Sequence, residues 1–173
     1  MAAYYYLISS LPSLRTDQDM PFDYGTFLEM CRSAVSSSEY ALLRDLNVNS
    51  CKGPLLKEWA KFYGVLAEEM TFQRNQKLGR PCEAPANRDS DAVRTVTAAL
   101  NAKNPLEAEN MLLSLEFEKL DSLVSMHYFD DYALNGYAMK LKLLERLRSF
   151  KKETGQQEFK RLFDGIRQQV LSI

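Results

Sequence analysis

Turn-forming residues are scarce in this chain, with 7 glycines and 6 prolines among 173 residues, where an average soluble protein carries about 12% of the two together. Tight turns must therefore be few. β-Branched apolar residues are also sparse, at 7 Val and 3 Ile against 25 Leu, so the apolar content is of the unbranched kind that favours helices over strands. An all-α fold is the expectation.

Other absences bear on function. With a single histidine, His127, the chain has no HExxH pair and no Cys2His2 set, and a zinc site would need scattered carboxylates to complete it. Cys31, Cys51 and Cys82 lie 20 and 31 residues apart, far from CxxC spacing, and no disulfide framework is expected. There is no GxGxxG or GxxxxGK[ST] run to cradle a phosphate and no G-x-S-x-G nucleophile elbow. No catalytic residue, cofactor or metal is expected, which favours binding or assembly over chemistry. The longest apolar stretch, Ala2 to Ile8, has seven residues, too short for a signal core or a membrane span. A cytoplasmic protein without direct membrane insertion is expected.

Charge is balanced at 22 basic and 23 acidic residues, without the basic excess of a dedicated nucleic-acid binder, so no nucleic-acid partner is expected. Locally it is uneven, at −3 for residues 1–50, +3 for 51–103, −6 for 104–131 and +5 for 132–173. Such runs read either as solvated helix faces that pair with one another or as surfaces for charged partners.

Residues 4–14, YYYLISSLPSL, have no helical period, and Pro12 bars a simple helical continuation from the residue before it. They read as an extended N-terminal arm. The three tyrosines would point to both sides of it, either packed at home or docked on a partner. About seven helices follow. The first, near 23–34, has Asp23 as N-cap and Phe27, Leu28 and Cys31 on one face. The next opens on a Ser36/Glu39 capping box, with Tyr40, Leu43 and Leu46 as its stripe. Gly53-Pro54 begins the longest, about 54–78, with Leu55, Trp59, Phe62 and Leu66 on its buried face and Gly79 to end it.

Residues 79–90, GRPCEAPANRDS, carry two prolines and no apolar period, and read as a linker between halves 1–78 and 91–173 of a single helical domain. A short helix near 91–101 follows. Asn104, Pro105 and Glu107 then give the clearest helix start in the chain, for 105–126. His127 ends that helix's apolar stripe and reads as a boundary residue. Asp130 and Asp131 read as capping groups of a helix over 131–153. Gly155 breaks it, and a last amphipathic helix is predicted over 156–171.

Four stretches carry a resemblance: YYYLISSLP at 4–12, MPFDYGTFLEMC at 20–31, NPLEAENMLLSLEFEKLDSL at 104–123, and YAMKLKLLERLRSFKKETG at 137–155 with its following FKRLF. They resemble a bacterial family of unassigned activity whose genes typically lie among those for V-type (A/V-type) ATP synthase subunits. That family looks like a shortened counterpart of the all-helical C subunit of V-type ATPases, known as d in eukaryotes, a funnel seated on the membrane rotor ring that receives the central shaft. At about half that length, this chain is not expected to form the full funnel. The resemblance implies a non-catalytic, C-like subunit that connects the soluble motor to the membrane rotor ring, with the central shaft and the ring as partners. It would be peripheral to the membrane through the complex. An accessory or assembly factor of that machine, or a free-standing helical adaptor, is the alternative. The candidate partner contacts are Tyr4, Tyr5 and Tyr6 on the arm and an outward face of Lys142, Glu145, Arg146 and Lys152.

Overall fold

A computed structural model of the chain describes residues 2–148 and 161, with the backbone alone for residues 2–4. Among these residues the protein is all-helical, without a strand. Its helices are α1 (Ala2–Ser10), α2 (Tyr24–Cys31), α3 (Ser37–Arg44), α4 (Pro54–Lys77), α5 (Ser90–Leu100), α6 (Pro105–Val124) and α7 (Asp131–Arg148). Lys152, Gly155 and the helix predicted over 156–171 lie outside the described residues. No helix among those described is long and apolar enough to cross a membrane.

Helix starts follow local chemistry. Asp23 Oδ1 accepts from the Thr26 N–H at 2.7 Å, Asp89 Oδ1 from Ala92 at 2.9 Å and Asn104 Oδ1 from Glu107 at 2.9 Å, each satisfying a donor that the first turn leaves without an intrahelical partner. The Ser36 box is half made. Glu39 N–H donates to Ser36 Oγ at 3.2 Å, but the Glu39 carboxylate turns away to Asn135 on α7. Gly79, at φ +66°, ends α4, donating to Gln76 O while Arg80 N–H donates to Asn75 O. These are the two bonds of a Schellman stop, which needs the left-handed conformation glycine adopts freely.

At the N-terminus, residues Ala2–Ser10 form a helix closed by Ser10 Oγ on Leu7 O and Leu11 N–H on Ile8 O. Pro12 constrains the residue before it and the turn that would contain it, and leaves the turns upstream free. Irregular chain follows α1, anchored where Tyr137 O–H donates to Pro12 O at 3.0 Å.

The two halves share their core. Phe27, Leu43 and Trp59 from the first half meet Leu113, Leu134 and Leu141 from the second in one buried cluster. Helix α7 touches α1, α2, α3, α4 and α6. A second cluster joins Leu66 of α4 to Ala92, Val96 and Ala99 of α5 and Leu112 of α6. The 79–90 linker is strapped to α4: Arg88 forms a two-pronged ion pair with buried Glu69 and lies over the Phe72 ring. Helices α6 and α7 approach closely at Gly136, where a Cβ would stand 2.5 Å from Val124 Cγ1.

Candidate functional site

Of the outward face expected on α7, Lys142, Glu145 and Arg146 lie among the described residues, and all three meet neighbouring helices. Arg146 turns onto α6, with Nη1 donating to Glu116 Oε1 at 3.0 Å, Nη2 to Glu116 Oε2 and Nε to Glu109. Glu145 accepts from the Tyr24 N–H at the start of α2 at 3.2 Å, and Lys142 pairs with Glu145 while lying 3.6 Å from the Tyr24 ring centroid. The arrangement has a geometric cause. These residues fall off one leucine seam, but α7 has neighbours on several sides, so leaving that seam brings them onto α2 or α6. There they serve packing. Burial pushes the Glu116 carboxyl above its ordinary range despite the Arg146 guanidinium.

The tyrosines fare differently. Tyr4 lies within α1, and Tyr5 and Tyr6 are exposed, Tyr6 at 73%. Tyr5 packs edge-on to Tyr6, with ring centroids 5.7 Å apart, and against Phe129 of the α6–α7 loop at 4.6 Å.

That loop is held by its own side chains. His127 N–H donates to Val124 O at 2.8 Å, and its ring stacks on Tyr132 with centroids 4.0 Å apart and planes 8° from parallel. Its Nδ1 lies 2.5 Å from Asp130 Oδ2, and Asp130 Oδ1 accepts from the Ala133 N–H in the first turn of α7. Burial pushes the Asp130 carboxyl upward, but the Ala133 N–H and His127 outweigh it and leave the group below its ordinary range. With His127 and Asp130 so engaged, the loop holds Met126, Tyr128 and Phe129 outward, Met126 at 84% and Tyr128 at 70% exposure.

Seven large apolar side chains are exposed among the described residues, and five of them are Tyr5, Tyr6, Met126, Tyr128 and Phe129. The other two, Leu78 and Leu106, stand apart at the ends of α4 and α6. Apolar side chains gathered in this way mark interaction surfaces more often than scattered ones do. Tyr5 and Tyr6 were legible as candidates. Met126, Tyr128 and Phe129 were missed, although a run of Met, His, Tyr and Phe just past the end of a helix is a usable signal.

A cleft of about 820 Å3 lies between residues 16–23 and the facing parts of α6 and α7. Of its three carboxylates, Asp17 pairs with Arg15 and Asp23 caps α2. Among the described residues no group of three His, Cys, Asp or Glu side chains is placed to hold a metal ion. The exposed aromatic surface is the candidate site. Comparison with family models, with curated proteins and with solved structures gave no match.

Proposed function

We propose that this chain is a non-catalytic, C-like subunit of a V-type ATP synthase, a cytoplasmic protein held at the membrane through the complex, which helps connect the soluble motor to the membrane rotor ring. The partner is suggested by the four resembling stretches. The observation that carries a contact role is the exposed contact of Tyr5 with Tyr6 and with Phe129, on a loop that also exposes Met126 and Tyr128, in a body whose leucines are largely buried. A connector has to transmit force without yielding, and close-packed helices have low compressibility. Tyrosine suits a contact face because it offers a large, stiff apolar body with a polar tip.

Affinity purification of the complex from native membranes tests this. The chain is expected in stoichiometric amount with the mature complex, and the doubly substituted Tyr6→Ser/Tyr128→Ser chain, folded as judged by circular dichroism, is expected to be lost from it. A mature complex holding all its other components but lacking this chain would overturn the reading. Recovery from assembly intermediates alone would move the assignment to an accessory factor.

A further inference from the structure

Among the described residues four aromatic rings lie under a cation, and at three of them the cation also pairs with a carboxylate. Lys142 lies over Tyr24 and pairs with Glu145, Lys140 lies over Phe117 and pairs with Asp121, and Arg88 lies over Phe72 and pairs with Glu69. Each unit has a ring, a carboxylate and a cation between them, so the cation gains from the quadrupole of the ring and from its counter-ion together.

The exposed aromatic surface holds two of these three parts. Tyr128 and Phe129 are followed directly by Asp130 and Asp131, and residues 120–139 contain no Lys or Arg. Residues 1–14, which supply Tyr5 and Tyr6, contain no Lys, Arg, Asp or Glu. Asp130 is engaged by His127 and by the first turn of α7, and Asp131 accepts from its neighbouring Tyr132 N–H. Among the described residues neither carboxylate has a Lys or Arg partner. Among the described residues no Lys or Arg lies over Tyr5, Tyr6, Tyr128 or Phe129.

We infer that this surface binds a basic amphipathic helix of a partner protein, whose apolar side chains seat on Tyr5, Tyr6, Tyr128 and Phe129 and whose flanking Lys or Arg supplies a cation beside Asp130 and Asp131. The inference rests on the reading of this face as a partner contact and names the chemistry of that partner. A helix fits because its i, i+3, i+4 spacing sets an apolar row between two charged flanks. An anionic membrane surface does not fit, since Asp130 and Asp131 directly follow Tyr128 and Phe129 in a segment without Lys or Arg.

The test uses the full chain and a synthetic amphipathic helix of about 18 residues, with Leu on one face and Lys and Arg on its flanks. Its counterpart carries Glu in place of every Lys and Arg. Isothermal titration is expected to show binding of the basic helix only, weakening as salt rises. Tyr6→Ser/Tyr128→Ser should weaken it by roughly tenfold or more, and Asp131→Asn should reduce both the affinity and the salt dependence. Equal binding of the two helices, or binding of neither, would overturn the inference. So would self-association that Tyr6→Ser/Tyr128→Ser abolishes, or binding to vesicles of phosphatidylserine. If neither helix binds while the native complex retains the chain through this face, the inference fails and the proposed function stands. If the basic helix binds but the native complex lacks the chain, the reverse holds.

Discussion

Arg146 and Glu116 face each other across the α6–α7 interface as fork and carboxylate, with both terminal guanidinium nitrogens on both carboxylate oxygens. Glu109 takes the remaining Nε. Arg146→Met leaves two carboxylates in a site where water reaches them poorly, and a loss of about 3–5 kcal/mol in urea denaturation is expected. Arg146→Lys keeps the charge but loses the planar fork, and should fall between. Replacing all three residues by apolar ones of similar volume should restore most of the loss, because no unpaired charge is then buried.

Glu39 provides a pH-dependent test. Its carboxyl is pushed above the ordinary range by burial first; the Asn135 amide opposes that, and the Asp131 charge adds to it. A carboxyl raised in the folded state favours folding fully below its unfolded pKa, and that advantage disappears as pH rises through the folded value. Ionised Glu39 also cannot donate to Asn135 Oδ1, a buried side-chain oxygen with no hydrogen-bond partner. Glu39→Gln removes the charge and supplies a donor. It should stabilise the protein by about 1 kcal/mol near neutral pH, and the gain should shrink as pH falls toward the unfolded carboxyl pKa. Thermal melts of both proteins across that range check the sign.

Two glycines should respond in opposite directions. At Gly136 a methyl group would meet Val124 Cγ1 at 2.5 Å, whereas at Gly64, in the middle of α4, it meets nothing within 4 Å. Gly136→Ala is expected to cost about 1–3 kcal/mol through overpacking, and Gly64→Ala to gain about 0.5–1 kcal/mol from helix propensity. Adding Val124→Ala to Gly136→Ala should recover part of the cost, which a double-mutant cycle in denaturant would measure.

The three thiols should separate by rate. Cys51 is exposed, Cys82 is partly covered with its Sγ 3.8 Å from Phe72 O, and Cys31 is buried, its pKa pushed up to about 12 by burial and by the nearby Glu39 charge. Only the thiolate attacks a disulfide reagent. Mass spectrometry after brief labelling should find Cys51 modified first and Cys31 modified only once the protein unfolds. Labelling of Cys31 as fast as Cys51 would contradict the burial described.

How much of this was legible in the sequence depends on how far each signal reaches. The start of α6 was clear because cap, proline and acid lie within four residues, and the Asn104 side chain bonds within that same span. The end of α4 was equally local. Helix α1 leaves little local signal because its aromatic residues have weak helix propensity, and its Leu7 is buried in a core shared with distant helices. Helical spacing put Arg146 off a leucine seam, but spacing within one helix carries no count of its neighbours. Met126, Tyr128 and Phe129 were illegible as a surface for a related reason: an apolar residue reads as core until the rest of the fold leaves it outside. The Glu69–Arg88 and Glu116–Arg146 pairs left a trace, since Glu69 falls between Leu66 and Phe72 and Glu116 beside Phe117, on faces that otherwise bury leucine and phenylalanine.

The many neighbours of α7 also order events during translation. Tyr24 waits 121 residues for Glu145, and Pro12 waits 125 for Tyr137. As the ribosome releases the chain from its N-terminus, α2, α3 and the first turns of α4 emerge with Phe27, Leu43 and Trp59 uncovered, and they stay so until α7 clears the exit tunnel. A nascent chain in that condition is a natural client for chaperones, and its collapse into the finished body is expected late and all at once, with α7 as the keystone.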